Sequence, residues 1–160
     1  MKFALSAFVA TVAAESFPAF DSFHAHCGLN LDVQADCGTV YSTISSLFQN
    51  KFQDPAGGNY QLKSLAQNKS VWVTRETLNK KYVDDNLFQI SGSNSNGTCH
   101  VLTKSRSQSL SYYDYDVNFC NMYNVLTSSG LKFTNVALDD CKFHPDMENA
   151  QDIKTTCDRY

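Results

Sequence analysis

The sequence predicts a mainly β protein: a single antiparallel β-barrel or sandwich stapled by disulfides, with one short helix and irregular N- and C-terminal arms. Three observations carry that expectation. Short segments in which apolar and polar residues alternate recur between turns rich in Gly, Asn and Ser. Six cysteines, an even number, are spread from Cys27 to Cys157. The chain begins with what reads as a secretory signal, which places those cysteines in an oxidising compartment and favours three disulfides over thiols or zinc.

The signal reading rests on Met1–Ala14. Lys2 gives a positive start, Phe3 to Ala14 carries no charge, and Val12-Ala13-Ala14 offers the small residues at which such segments are cut. The apolar run is too short to span a bilayer, so the expected destination is secreted and extracellular. Residues 15–37 then read as an arm: Phe17 to Asn30 is aromatic, contains Pro18, and is expected to be extended and pinned by Cys27. Residues 38–143 form the expected β-rich domain. Within it, Val40, Ile44, Leu47 and Phe48 share one helical face, which predicts a short helix over Gly38–Phe52. Asp54-Pro55-Ala56-Gly57-Gly58 breaks the chain. Strands follow at Asn59–Leu65 and Ser70–Thr77, separated by a turn at Gln67-Asn68-Lys69. Asp84-Asp85-Asn86 reads as polar punctuation before a strand at Leu87–Ser91, a hairpin loop at Gly92–Gly97, and a returning strand at Thr98–Lys104. Leu131–Leu138 is one more strand. Residues 144–160 are expected to be an irregular tail held by Cys157.

Ser105–Tyr123 is the most unusual stretch. Tyr113, Tyr115, Val117 and Phe119 alternate with Asp114, Asp116 and Asn118, a period of two that predicts a strand over 112–119. Asp114-x-Asp116-x-Asn118 also matches the opening of a calcium loop. Phe119 stands where that loop needs glycine and Val125 where it needs glutamate, so a solvated strand face is expected instead.

Sequence alone leaves many cysteine pairings open. The shortest loops would close in Cys27–Cys37, Cys99–Cys120 and Cys141–Cys157. No two cysteines have the spacing of a zinc site, and no metal is expected. Asn68-Lys69-Ser70 and Asn96-Gly97-Thr98 fit the acceptor pattern for N-glycosylation.

The composition excludes several functions. With 13 basic and 16 acidic residues and a net charge of −3, the chain lacks the clustered cations that nucleic acid requires. No second apolar run reaches membrane-spanning length. No nucleophile elbow, phosphate loop, dinucleotide fingerprint or zinc-protease motif occurs, so neither a catalytic residue nor a cofactor is assigned and enzyme activity is not the leading expectation. His100 with Asp114 or Asp116 is the one acid–base combination that would support a small secreted hydrolase. Asp84-Asp85 and Asp139-Asp140 are adjacent pairs, whose side chains point to opposite faces on a strand.

Two short segments resemble the lipocalins. Gly58-Asn59-Tyr60-Gln61-Leu62 is similar to the family's first-strand motif, with Tyr60 where tryptophan is usual. Tyr113-Asp114-Tyr115-Asp116 is similar to its Thr-Asp-Tyr motif, with Tyr113 in place of threonine. The resemblance spans Val40 to Leu138 at most. It implies a ligand-binding barrel whose interior would include Tyr60, Trp72, Phe88, Tyr113 and Tyr115. The functional expectation is a secreted, cysteine-rich binding or extracellular structural module, taking a small ligand or a surface partner. The alternatives are the hydrolase and a self-associating matrix or filament protein docking through Phe17–Phe23.

Overall fold

Cys27, Leu29, Leu31 and Val33 alternate with polar residues. This period builds the first strand, β1 (His26–Val33), in the computed structural model, which describes residues 16–79, 81–93 and 97–160. The signal-like Met1–Ala14 and the acceptor Asn96 lie outside the described residues. Helix α1 (Cys37–Gln49) follows. Its first turn is capped by Asp36, whose carboxylate accepts from the Thr39 N–H at 2.9 Å, and Val40, Ile44 and Phe48 are buried along one stripe. A meander then runs through β2 (Asn59–Ala66), β3 (Ser70–Glu76), β4 (Val83–Ser93) and β5 (Cys99–Ser107). Helix α2 (Val117–Ser128), strand β6 (Phe133–Asp139) and helix α3 (Ala150–Cys157) complete the order.

All six strands form one antiparallel sheet in the order β2-β3-β4-β5-β1-β6. The protein is mainly β, as the alternation predicts, but the sheet does not close into a barrel. It makes a sandwich-like two-layer arrangement in which helices supply the second layer. α1 packs across β2 to β5, while α2 packs on β5, β1 and β4 and carries α3 on its far side. The core between the layers includes Leu29, Leu31, Val101, Phe88, Ile44, Phe119, Met122 and Leu126, none more than 1% exposed.

Several local expectations are corrected. The arm expected to reach residue 37 instead supplies β1, an interior strand, leaving residues 16–25 and the short link 34–36 irregular. Asp84-Asp85-Asn86 does not punctuate the chain: it lies inside β4, where the buried Asp84 carboxylate accepts from Asn121 on α2 and the Asn86 amide donates to the Asp84 carbonyl. The strand over 112–119 is absent. Tyr112, Tyr113 and Tyr115 are exposed on a loop whose Asp114 turns inward, and Val117 begins α2. There the helical spacing of Phe119, Met122 and Leu126 competes with the two-residue alternation, and burial against β5 and β1 decides for the helix. The tail is not wholly irregular, since Asn149 caps α3 by accepting from the Gln151 and Asp152 N–H groups.

All six cysteines are paired, but not through short loops: Cys27–Cys141, Cys37–Cys99 and Cys120–Cys157. Each bridge ties elements distant in sequence. Chain-entropy arguments assign about 4–5 kcal/mol to closing the 114-residue separation of Cys27–Cys141 and about 3–4 kcal/mol to the 37-residue separation of Cys120–Cys157. Mass-spectrometric mapping of the unreduced protein is expected to recover these three pairs. Denaturant unfolding of the double variant Cys27→Ala/Cys141→Ala is expected to show a larger loss than Cys120→Ala/Cys157→Ala.

Candidate ligand-binding groove

Because side chains alternate across a strand, the sheet has two faces of different chemistry. The inner face, beneath the helices, is apolar at one end and polar at the other. At the polar end Arg75 Nε donates to Asp54 Oδ2 at 2.6 Å, and its Nη2 donates to the Tyr160 carbonyl at 2.9 Å. The Gly58 N–H donates to Asp54 Oδ1 at 2.7 Å, and any side chain at Gly58 would collide with the Arg75 guanidinium. The Tyr60 hydroxyl donates to the Asn121 carbonyl at 2.9 Å, and burial lifts its pKa well above the usual phenol value. Asn121 Nδ2 donates to Asp84 Oδ2 at 2.9 Å and to Ser105 Oγ at 3.1 Å, and Ser105 Oγ donates to Asn118 Oδ1 at 2.7 Å. Asn118 in turn donates to Asp114 Oδ2 through its side chain and its backbone N–H. Asp84, Asn86, Asn118 and Asn121 are 3% exposed or less, too enclosed to meet a substrate. Among the described residues, Asn86 Oδ1, Asn121 Oδ1 and Asp114 Oδ1 accept no hydrogen bond.

The outer face carries side chains in rows fixed by strand register. One row runs Ser64, Trp72, Leu87, Lys104, and the next runs Ala66, Ser70, Gln89, Leu102. Residues 16–25 cross this face. The Phe17 ring sits 5.6 Å from Trp72, and Phe20 stacks on His26 at 4.3 Å. Arg106 Nη2 donates to Asp21 Oδ2 at 2.6 Å, and this contact, with help from His24, holds the Asp21 carboxyl far below its ordinary pKa. Trp72 Nε1 donates to Asp85 Oδ1 at 2.9 Å, while Lys63 Nζ lies 4.1 Å above the indole and 3.5 Å from the same carboxylate oxygen. A groove of about 650 Å³ remains between this crossing segment and strands β2 to β5. That volume lies in the range of roughly 300–1,000 Å³ typical of small-molecule sites. Its walls are Phe17, Phe20, Leu65 and Trp72, and its polar members are Ser64, Ser70, Gln89 and Lys104.

Of the five residues named from sequence as ligand contacts, only Trp72 reaches this groove, beside Phe17 and Phe20 of the segment named for self-association. Tyr60 and Phe88 are in the inner core, where both rings contact Phe48. Tyr113 and Tyr115 stand on the loop before α2, 63% and 69% exposed, with Tyr113 against Tyr112 and Phe143. The five therefore do not line one interior. His100 does not meet Asp114 or Asp116. Its Nδ1 lies 3.2 Å from Asp32 Oδ1 on the outer face, while Asp114 is bonded to Asn118 on the inner side. Asp84 and Asp85 do point to opposite faces, as their adjacency on a strand requires. Asn68 is exposed at its turn. From sequence, Phe17 and Phe20 point to docking on a neighbour rather than to this groove, while Leu87, Gln89 and Lys104 escape sequence reasoning. Their parity within each strand is readable, but the register that sets them side by side is not.

No protein-family model matches this chain, and no curated protein does.

The buried carboxylates give a signature in pH. Burial raises Asp84 above its ordinary value of 3.8, against the opposing pull of the Asn121 amide and Arg75. Burial likewise raises Asp114. A carboxyl raised in the folded state binds its proton more tightly there than in the unfolded chain. Stability from this source therefore grows as pH falls from neutrality through the raised value toward 3.8. The Asp84→Asn variant loses that gain. Urea unfolding at pH 7, 5.5 and 4 is expected to show wild type improving relative to the variant on acidification, and a constant difference would refute the assignment.

Proposed function

We propose that this protein is a secreted binding module that takes a small, largely apolar ligand in the outer-face groove. The carrying observation is the groove itself, floored by Trp72 and Leu87 and roofed by the crossing segment rather than by a second sheet. Three disulfides, the Asn68 acceptor at an exposed turn, and the signal-like N-terminus support the extracellular setting. No helix among the described residues is long and apolar enough to cross a membrane.

Trp72 is the sole tryptophan of the chain and a built-in reporter. Titration with the neutral fluorophore N-phenyl-1-naphthylamine is expected to raise the probe's emission and quench Trp72. Gln89 is exposed at the groove, so Gln89→Phe fills space without touching the core and is expected to weaken probe binding about tenfold. No quenching in the wild type, or equal binding by the variant, sinks the reading.

The loop before α2 favours a second reading, self-association. Tyr112, Tyr113, Tyr115, Leu110 and Phe23 are all more than half exposed, and the Ser111 N–H donates to the Phe23 carbonyl, joining the two segments. Tyr115 and Asp116 both hold left-handed backbone, φ 52° and 69°, so the loop is fixed in a strained display of aromatic rings. Sedimentation equilibrium is expected to show a concentration-dependent dimer for wild type and a monomer for Tyr113→Ser/Tyr115→Ser. A wild type that stays monomeric to about millimolar concentration, where the weakest specific contacts appear, removes this reading.

A further inference from the structure

The cations of the outer face are unequal. Arg106 is held by Asp21, and Lys63 lies beside Asp85. Lys104 is different. Its cross-strand neighbours are Leu87 on β4 and Gly28 on β1, neither of which carries a charge. Its Nζ lies 5.7 Å from the Phe20 ring centroid, and among the described residues no carboxylate comes within ion-pair distance of it. A half-buried ammonium against aromatic walls gives up part of its hydration without a counter-ion. Gln89, diagonal to Lys104 across β4 and β5, adds an exposed carboxamide in the next row, and Ser70 faces Gln89 from β3. The groove thus has aromatic walls formed by Phe17, Phe20 and Trp72, and a polar edge with one positive charge.

We infer that the groove selects a small aromatic monocarboxylate, with its ring system against Phe17 and Trp72 and its carboxylate on Lys104. This deepens the reading of the groove as a ligand site and rests on it. One cation matches one negative charge, and the carboxamide of Gln89 can donate to the second carboxylate oxygen. Flat rings suit the aromatic walls, which offer faces and edges for offset contact. A cationic ligand of the same shape would meet Lys104 as a like charge.

Three probes of matched shape separate the inference from the reading beneath it: 1-naphthaleneacetate, 1-naphthaleneethanol and 1-naphthalenemethylamine, each titrated against the full chain by Trp72 quenching and calorimetry. The acetate is expected to bind about tenfold more tightly than the alcohol, with the amine weakest. Raising the salt concentration should weaken the acetate alone. Lys104→Met is expected to bring the acetate down to the affinity of the alcohol, and Lys104→Arg to keep the preference. Equal wild-type affinities for acetate and alcohol, or a preference that survives Lys104→Met, overturns the role of Lys104 while leaving the groove as an apolar site. Failure of all three probes to bind overturns both.

Discussion

β1 pairs with β5 on one side and with β6 on the other, and most of what distinguishes this molecule follows from that insertion. An N-terminal strand placed in the interior of a sheet must be entered from one face. The helices occupy the inner face, so the residues before β1 cross the outer one. Phe17, Phe20 and Asp21 then become partners of Trp72, His26 and Arg106. The groove exists because a strand that is first in sequence is fifth in the sheet. Cys27–Cys141 fastens the start of that strand to the chain leaving β6, so the crossing segment has a fixed root.

The two faces spend their polar groups differently. On the inner face Asp54, Arg75, Asp84, Asn118 and Asn121 are enclosed and bonded chiefly to one another, which limits the desolvation penalty that isolated buried charges would incur. A polar network of this kind fixes how α2 sits on the sheet, since Asn118 and Asn121 find their partners at one position of the helix only. On the outer face Asp85 and Arg106 are enclosed with their partners, but Gln89 and Lys104 stand at the margin of an apolar floor, where solvent or a ligand can reach them. The sheet thus keeps its geometry with one face and meets its surroundings with the other.

How much of this was legible in the residues depends on the range of the interaction that decides each element. α1, β2, β3 and β6 are governed by local pattern and appear where periodicity and turn residues place them. β4 was foreshortened because Asp84 and Asn86 look solvent-seeking until Asn121, 37 residues from Asp84, donates to the Asp84 carboxylate. α2 was hidden because its first residues continue an alternation begun by Tyr113 and Tyr115. The disulfides escaped altogether: loop length favours neighbours, whereas the sheet order brings Cys27 to Cys141. For the groove, Trp72 was visible as a residue type, but its neighbours come from three strands and the crossing segment, and only register assembles them.

The Cys27–Cys141 bridge also bears on the order in which the chain assembles. β2 to β5 are joined by short connections, so their pairing can begin as soon as they emerge during synthesis. β1 is made earlier, yet its central pairing on β5 waits for residues 99–107, and its second partner β6 comes later still. Cys27 therefore spends most of translation as a thiol whose proper partner has not been made, with Cys37, Cys99 and Cys120 arriving first. An early bond from Cys27 to any of these would need thiol–disulfide exchange to undo it, and the bridge that anchors the roof of the groove forms only once Cys141 has been made.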